Sequence, residues 1–185
     1  FVVLRKVTID VPNQLPRVLD CTGPGCEKLL DYNIRHLVLV DYDSRWRVER
    51  CGAQEQEHVD FFWGLEGEMH IESAQGLQKL TPDTFLIVPS WHDRILSIPR
   101  HSRHIYARSN ILANFPFLDQ IELRESQFSQ EIYYYLQRLF LDEDQTLMAA
   151  KGSLTGNAEY RFHLCALLAE LVLRETFTKR QMHRN

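Results

Sequence analysis

The sequence predicts a mainly β fold with α: a small antiparallel barrel of short strands, then two C-terminal helices. Three observations predict it. Between residues 34 and 109 the apolar residues come in short runs broken by turn-forming and charged residues, the spacing of successive strands. Beyond Pro116 the apolar period lengthens to that of a helix. A chain of 185 residues, 44% hydrophobic and 25% charged, is large enough for one core with a helical appendage.

Residues 1–30 contain Pro12, Pro16 and Pro24 and few periodic apolar positions, and read as an N-terminal arm. The barrel is expected over 31–115. Its strands are expected at 34–42, 46–50, 59–65, 68–73, 77–80, 85–88, 94–98 and 103–108, with Gly67, Gly76, Pro82, Pro89 and Pro99 between or beside them. Eight short strands of this kind pack as a sandwich or a barrel. In 127–141, Ile132, Tyr135, Leu136, Leu139 and Phe140 form a helical stripe. A loop is expected over 142–156, with Asn157 placed to cap a second helix over 158–178.

On that second helix Tyr160, Leu164, Leu167, Leu168 and Leu171 line one face, while Phe162, Cys165, Ala166, Ala169, Val172 and Leu173 spread apolar surface round most of the circumference. One face can pack on the barrel, and the remainder asks for a second partner. Segment 116–178 is therefore expected to dimerise through the five face residues, against the plainer alternative of a helix buried in its own domain. The polar, basic 179–185 reads as a linker stub.

Charge and cysteines narrow the function classes. Lys plus Arg total 21 against 25 Asp plus Glu, so a net charge of -4 gives no broad electrostatic attraction for nucleic acid. No charged-then-apolar leader and no long apolar run occurs, so neither a signal peptide nor a membrane span is expected. Cys21, Cys26, Cys51 and Cys165 lack paired C-x-x-C spacing, which points to reduced thiols and a cytoplasmic protein. The turn from Cys21 to Cys26 has the span to close a loop on oxidation or to supply half a zinc site, but no second pair follows it. Cys165, in an apolar helical stripe, reads as core. No G-x-S-x-G elbow, Walker loop, dinucleotide fingerprint or H-E-x-x-H occurs.

One stretch is more specific. Glu57-His58-Val59-Asp60-Phe61-Phe62-Trp63-Gly64-Leu65-Glu66-Gly67-Glu68-Met69-His70-Ile71 is followed by Leu80-Thr81-Pro82-Asp83-Thr84-Phe85-Leu86-Ile87-Val88-Pro89-Ser90-Trp91-His92. This order of strand, Gly turn, strand, Pro-Gly-Asp-like turn, apolar strand and Pro resembles the core of AraC-type sensor domains, which have a cupin-like jelly-roll barrel followed by helices. The resemblance spans residues 34–178. It departs from the pattern at Asp83, where a Gly is usual; Asp tolerates left-handed backbone better than most residues.

The resemblance implies an effector-sensing and dimerisation domain of a bacterial regulator, not an enzyme, whose DNA contacts come from a domain absent from this chain. Enzymatic cupins hold a metal on a His pair, a Glu and a further His. Here Gln54, Glu55 and Gln56 stand where the His pair belongs, Asp60 stands at the Glu position, and only His92 or Arg94 lies near the last His. No metal or cofactor is therefore expected, although His58 and His70 on neighbouring strands leave an improvised site open. His101 and His104, three apart, point to opposite faces. The rival readings are a metal-dependent cupin enzyme, isomerase or dioxygenase, and a cupin that binds no ligand.

A sensor barrel needs an apolar wall with a few convergent polar groups. Alternation separates Val59, Phe61, Trp63 and Leu65 from His58, Asp60 and Phe62 without saying which set faces inward. The expected ligand-binding residues are Trp46, His58, Asp60, Phe62, His70, Trp91, His92, Arg94 and Tyr106. Trp and Tyr would stack on a ring and Arg, Asp and His would fix hydroxyls or a carboxylate, with a sugar the favoured effector. The N-terminal arm is expected to respond to effector.

Overall fold

The computed structural model describes residues 17–21, 23–43, 45–52, 58–110, 119–149 and 154–181. In chain order these form β1 (Arg17–Asp20), α1 (Lys28–Asp31), β2 (Ile34–Tyr42), β3 (Trp46–Arg50), β4 (Val59–Gly67), β5 (Met69–Ser73), β6 (Gly76–Leu80), β7 (Thr84–Pro89), β8 (Arg94–Ile98), β9 (Ser102–Ser109), β10 (Glu122–Glu125), α2 (Ser129–Ala149) and α3 (Leu154–Gln181). The strands build two antiparallel sheets, one of six in the order β1-β2-β9-β4-β7-β10 and one of four in the order β3-β8-β5-β6. The barrel is thus two facing sheets, without a ladder joining them among the described residues.

Burial follows from what covers each face. On β3, β5 and β8 the pattern alternates: Val48, Met69, Ile71, Leu96 and Ile98 face the other sheet, while Glu49 and Glu72 face out. On β4 and β7 nearly every residue is buried, because the six-stranded sheet has the second sheet on one face and helices on the other. Two cores result. Between the sheets, Phe62, Leu86 and Val88 meet Met69, Ile71 and Leu96. On the outer face, Phe61, Trp63 and Phe85 pack under Ile132, Leu136 and Leu139 of α2 and Leu168 and Val172 of α3. Phe85 stacks on Trp63, with ring centroids 4.9 Å apart, and on Phe61 at 5.6 Å.

Two turns set the register. Gly67 has φ +66°, and a Cβ there would lie 2.1 Å from the His101 carbonyl oxygen, so the β4–β5 turn requires glycine twice over. Asp83 adopts φ +61° between β6 and β7, the left-handed backbone that the turn demands.

The eight expected strands are present as β2 to β9, with shifts at their ends. Three short elements were not foreseen: β1 at the edge beside β2, β10 at the other edge beside β7, and α1. Part of the segment read as an arm is therefore built into the fold, since Cys26 and Leu29 are buried in the outer core; residues 1–16 lie outside the described residues. The expected loop over 142–156 is corrected too: α2 runs to Ala149 and α3 starts at Leu154, which places Asn157 inside the helix rather than at its cap. The acidic run from Asp142 interrupts the apolar stripe without interrupting the helix, since its residues are tolerable helix formers. Residues 150–153 and the 182–185 part of the expected linker lie outside the described residues. No helix among the described residues is long and apolar enough to cross a membrane.

Candidate ligand site between the sheets

The register of β4 against β9 places Asp60 opposite Arg108 and Phe62 opposite Tyr106. Residues of that parity face the second sheet, so these four side chains share the space between the sheets. Asp60 is 4% exposed, and its Oδ1 accepts from the Tyr106 hydroxyl at 2.8 Å and from Arg108 Nε at 3.0 Å. From the facing sheet comes Arg94, first residue of β8. Its Nη2 lies 3.8 Å from Asp60 Oδ2, and its Nη1 donates to the carbonyl oxygens of His92 at 2.9 Å and Ser90 at 3.3 Å. His58 Nε2 is 3.8 Å from Asp60 Oδ2.

Two guanidiniums thus share one carboxylate in a region withdrawn from water, and Arg50 stands opposite Arg94 in the β3–β8 register. Arg94 Nε is buried without a hydrogen-bond acceptor among the described residues. Burial holds the Arg94 guanidinium below its ordinary pKa, with Asp60 opposing. Burial works against the Arg108 charge as well, but the hydrogen bond and charge of Asp60 outweigh it and leave Arg108 raised. Burial, and then the Asp60 charge, push the Tyr106 phenol up, so it remains a donor.

An aromatic wall adjoins the cluster. Phe62 packs on Tyr106 at 5.2 Å and on His104 at 5.8 Å; Tyr42 stacks on His104 at 6.0 Å and touches Trp46 at 5.1 Å. Burial pushes the His104 imidazole down to about 4, leaving it neutral, with Nδ1 3.0 Å from the Ser102 hydroxyl.

Of the expected ligand-binding residues, Trp46, Asp60, Phe62, Arg94 and Tyr106 are thus brought between the sheets, and His58 stands beside Asp60. Three are not. His70 alternates with Met69 and Ile71, so it turns to the outer face of the four-stranded sheet, where Nε2 meets Glu68 Oε2 at 2.8 Å. That also separates it from His58 and removes the improvised pair. Trp91 packs on the outer core. The His92 ring is hydrogen-bonded to the Asp119 carbonyl, and only its own backbone oxygen reaches Arg94. Arg108, His104 and Tyr42 were missed. Arg108 was available to sequence reasoning, two residues after Tyr106 and hence on the same face.

The residues of the expected dimerisation face divide between core and surface. Leu164, Leu168 and Leu171 are buried in the chain's own outer core, because α3 packs on α2 and α1 through them. Tyr160 and Leu167 remain exposed, with Phe162 beside them. Among the described residues the group of side chains close enough to hold a metal comprises three cysteines, Cys21, Cys26 and Cys165, rather than histidines.

No family model and no curated protein matches the sequence. Among solved structures the chain is similar to the AraC-like transcriptional activator CuxR, with a TM-score of 0.54 and 11% identity over 91% of this chain and 60% of that one. It therefore spans about three-fifths of that protein's length. More distant are a cupin_2 domain of an XRE family transcriptional regulator from Enterobacter cloacae (TM-score 0.41, 10% identity, 52% of this chain and 97% of that one) and an ectoine synthase from P. lautus (TM-score 0.36, 16% identity, 42% and 54%). The likeness to CuxR, at its low identity, speaks to fold alone: a mainly β, cupin-like jelly roll with C-terminal helices.

Proposed function

We propose that this chain is the effector-sensing and dimerisation part of an AraC-type transcription regulator, that it binds a small molecule between its sheets without catalysis, and that DNA contacts lie in a part of the protein outside these residues. The observation that carries the reading is the Asp60 cluster. A carboxylate, two guanidiniums and a phenol converge beside Phe62 and Trp46, an arrangement suited to holding a polar ring rather than to activating a bond. The likeness in fold to CuxR, barrel and helices together, supports it.

The excess of guanidinium over carboxylate among the described residues favours a hydroxylated ligand that carries an acidic group, such as a sugar acid, over a neutral sugar. The acid would meet Arg94, hydroxyls would meet Asp60 and Tyr106, and the ring would lie on Trp46. A ligand shifts the regulator only by preferring one arrangement of it over another. Cytoplasmic location and pairing through the exposed Tyr160, Phe162 and Leu167 belong to the same reading.

The test is a thermal-shift and tryptophan-fluorescence panel of neutral sugars, sugar acids and aromatic acids on the protein and on Arg94→Met. Stabilisation by an acidic member, lost in the variant, is expected. A panel without effect, together with an iron- or manganese-dependent turnover abolished by His58→Ala, would replace the sensor with an enzyme.

A further inference from the structure

Three thiols from two distant parts of the chain meet on the outer side of the six-stranded sheet, away from the Asp60 cluster. Cys21 follows β1, Cys26 ends the turn before α1, and Cys165 comes from α3. Their sulfurs are 3.0 Å apart for Cys21 and Cys26, 3.6 Å for Cys26 and Cys165, and 3.9 Å for Cys21 and Cys165, and all three are thiols rather than disulfide sulfurs. Two thiolates at zinc, each bonded at about 2.3 Å with tetrahedral angles, stand about 3.8 Å apart. Two of the three separations already match, and a small side-chain rotation opens the third.

The surrounding chain is organised to bring these sulfurs together. Gly25, at φ +88°, approaches α3 so closely that a Cβ would lie 2.5 Å from the Phe162 backbone nitrogen. Arg161, only 2% exposed, fastens the turn: Nε donates to the Pro24 carbonyl at 2.8 Å, Nη1 to the Leu139 carbonyl at 2.9 Å, and Nη2 lies 3.6 Å from Cys26 Sγ. Thiols are weak donors and weak acceptors, so contacts among three of them add little to stability on their own. Three thiolates at these separations suit one soft divalent cation.

We propose that Cys21, Cys26 and Cys165 form a three-thiolate site for one divalent thiophilic cation of the zinc class. No fourth Cys, His, Asp or Glu joins the group among the described residues. The half-buried Cys21 side is where the fourth position, filled by water or an exchangeable ligand, reaches solvent. Binding forms three metal–sulfur bonds, releases the thiol protons to solvent and changes no oxidation state. It clamps the start of the described fold onto α3. The site does not depend on the effector reading, since it lies on the other face of the sheet.

The experiment titrates the reduced, metal-free chain with Co2+ under anaerobic conditions and then with Zn2+. One equivalent of Co2+ should give thiolate-to-cobalt charge-transfer absorption with tetrahedral visible bands, and Zn2+ should bleach both. Cys165→Ser should weaken binding by at least about tenfold, the scale on which losing even an outer partner acts. Cys51→Ser, which replaces the exposed cysteine elsewhere, should change nothing. Should Cys165→Ser fail to fold, the wild-type melting temperature must rise with Zn2+ and fall back with chelator. A folded, reduced chain that shows no charge-transfer band, a cobalt affinity left unchanged by Cys165→Ser, or a band that vanishes with Cys51→Ser would each overturn the site.

Discussion

Glu175, near the end of α3, accepts the backbone N–H of Phe128 at 2.9 Å, so one helix supplies the cap of another. The same carboxylate accepts from the Gln127 N–H at 3.0 Å and the Ser126 hydroxyl at 3.0 Å. Donors at a helix start have no partner within the helix, and a buried carboxylate satisfies them while complementing the positive end of the dipole. Glu175→Gln keeps the size but loses the charge-assisted bonds and should cost about 1.5–3 kcal/mol. Urea unfolding at an unchanged m-value would measure it. A loss below about 0.5 kcal/mol, the range of ordinary surface substitutions, would mean that water caps α2 instead.

Asp83 combines two demands that separate variants can pull apart. Its backbone is left-handed, and its Oδ1 accepts from the Ser129 hydroxyl and the Gln130 amide at 3.1 Å each. Asp83→Asn retains an acceptor and tolerates the backbone. Asp83→Gly relieves the backbone but drops both bonds, and Asp83→Ala loses on both counts, with about 1–2 kcal/mol from the left-handed conformation alone. The expected order of stability is Asp or Asn, then Gly, then Ala. Ala equal to Gly would remove the backbone part of the explanation.

His104 predicts an acid-labile interior. The folded chain holds this imidazole at about 4, whereas the unfolded chain takes up the proton near 6.5. Its contribution is complete above the unfolded value and declines as pH falls through the window between the two, by about 1.4 kcal/mol per pH unit, because there only the unfolded state binds the proton. Below about 4 the decline stops. His104→Gln, which cannot charge, should flatten that part of the stability profile. Urea midpoints for both proteins from about pH 7 to about pH 4.5 give the comparison, and parallel profiles would show that His104 is not the group responsible.

The sequence revealed strands wherever burial imposed a pattern and concealed them where it did not. β10, Glu122-Leu123-Arg124-Glu125, is an edge strand whose polar residues carry no alternation, and β1 has four residues. β4 is buried on both faces, so alternation could not say which set faces the second sheet; only the packing of Phe62 against the facing strands decides that, and with it the inclusion of Asp60. Cys165 could be read as a core residue from its stripe, but its meeting with Cys21 and Cys26 depends on how α3 docks, which no local pattern encodes.

Asp60 supplies the sharpest test of the candidate site, because among the described residues it is the carboxylate that Arg108, Arg94, Tyr106 and His58 all approach. Removing it in Asp60→Ala strands guanidinium charge between the sheets, and a broken buried pair costs about 3–5 kcal/mol; the lower end applies, since a third of the Arg108 side chain reaches water. Replacing both members of a buried pair by apolar groups is often close to neutral, so Asp60→Leu combined with Arg108→Met should recover much of the loss. The double-mutant cycle should then show a coupling of at least about 1 kcal/mol, whereas additive effects would mean that solvent already screens the pair. Recovery of stability without recovery of ligand binding in the double variant would show that the charges are kept for recognition, since the fold can do without them.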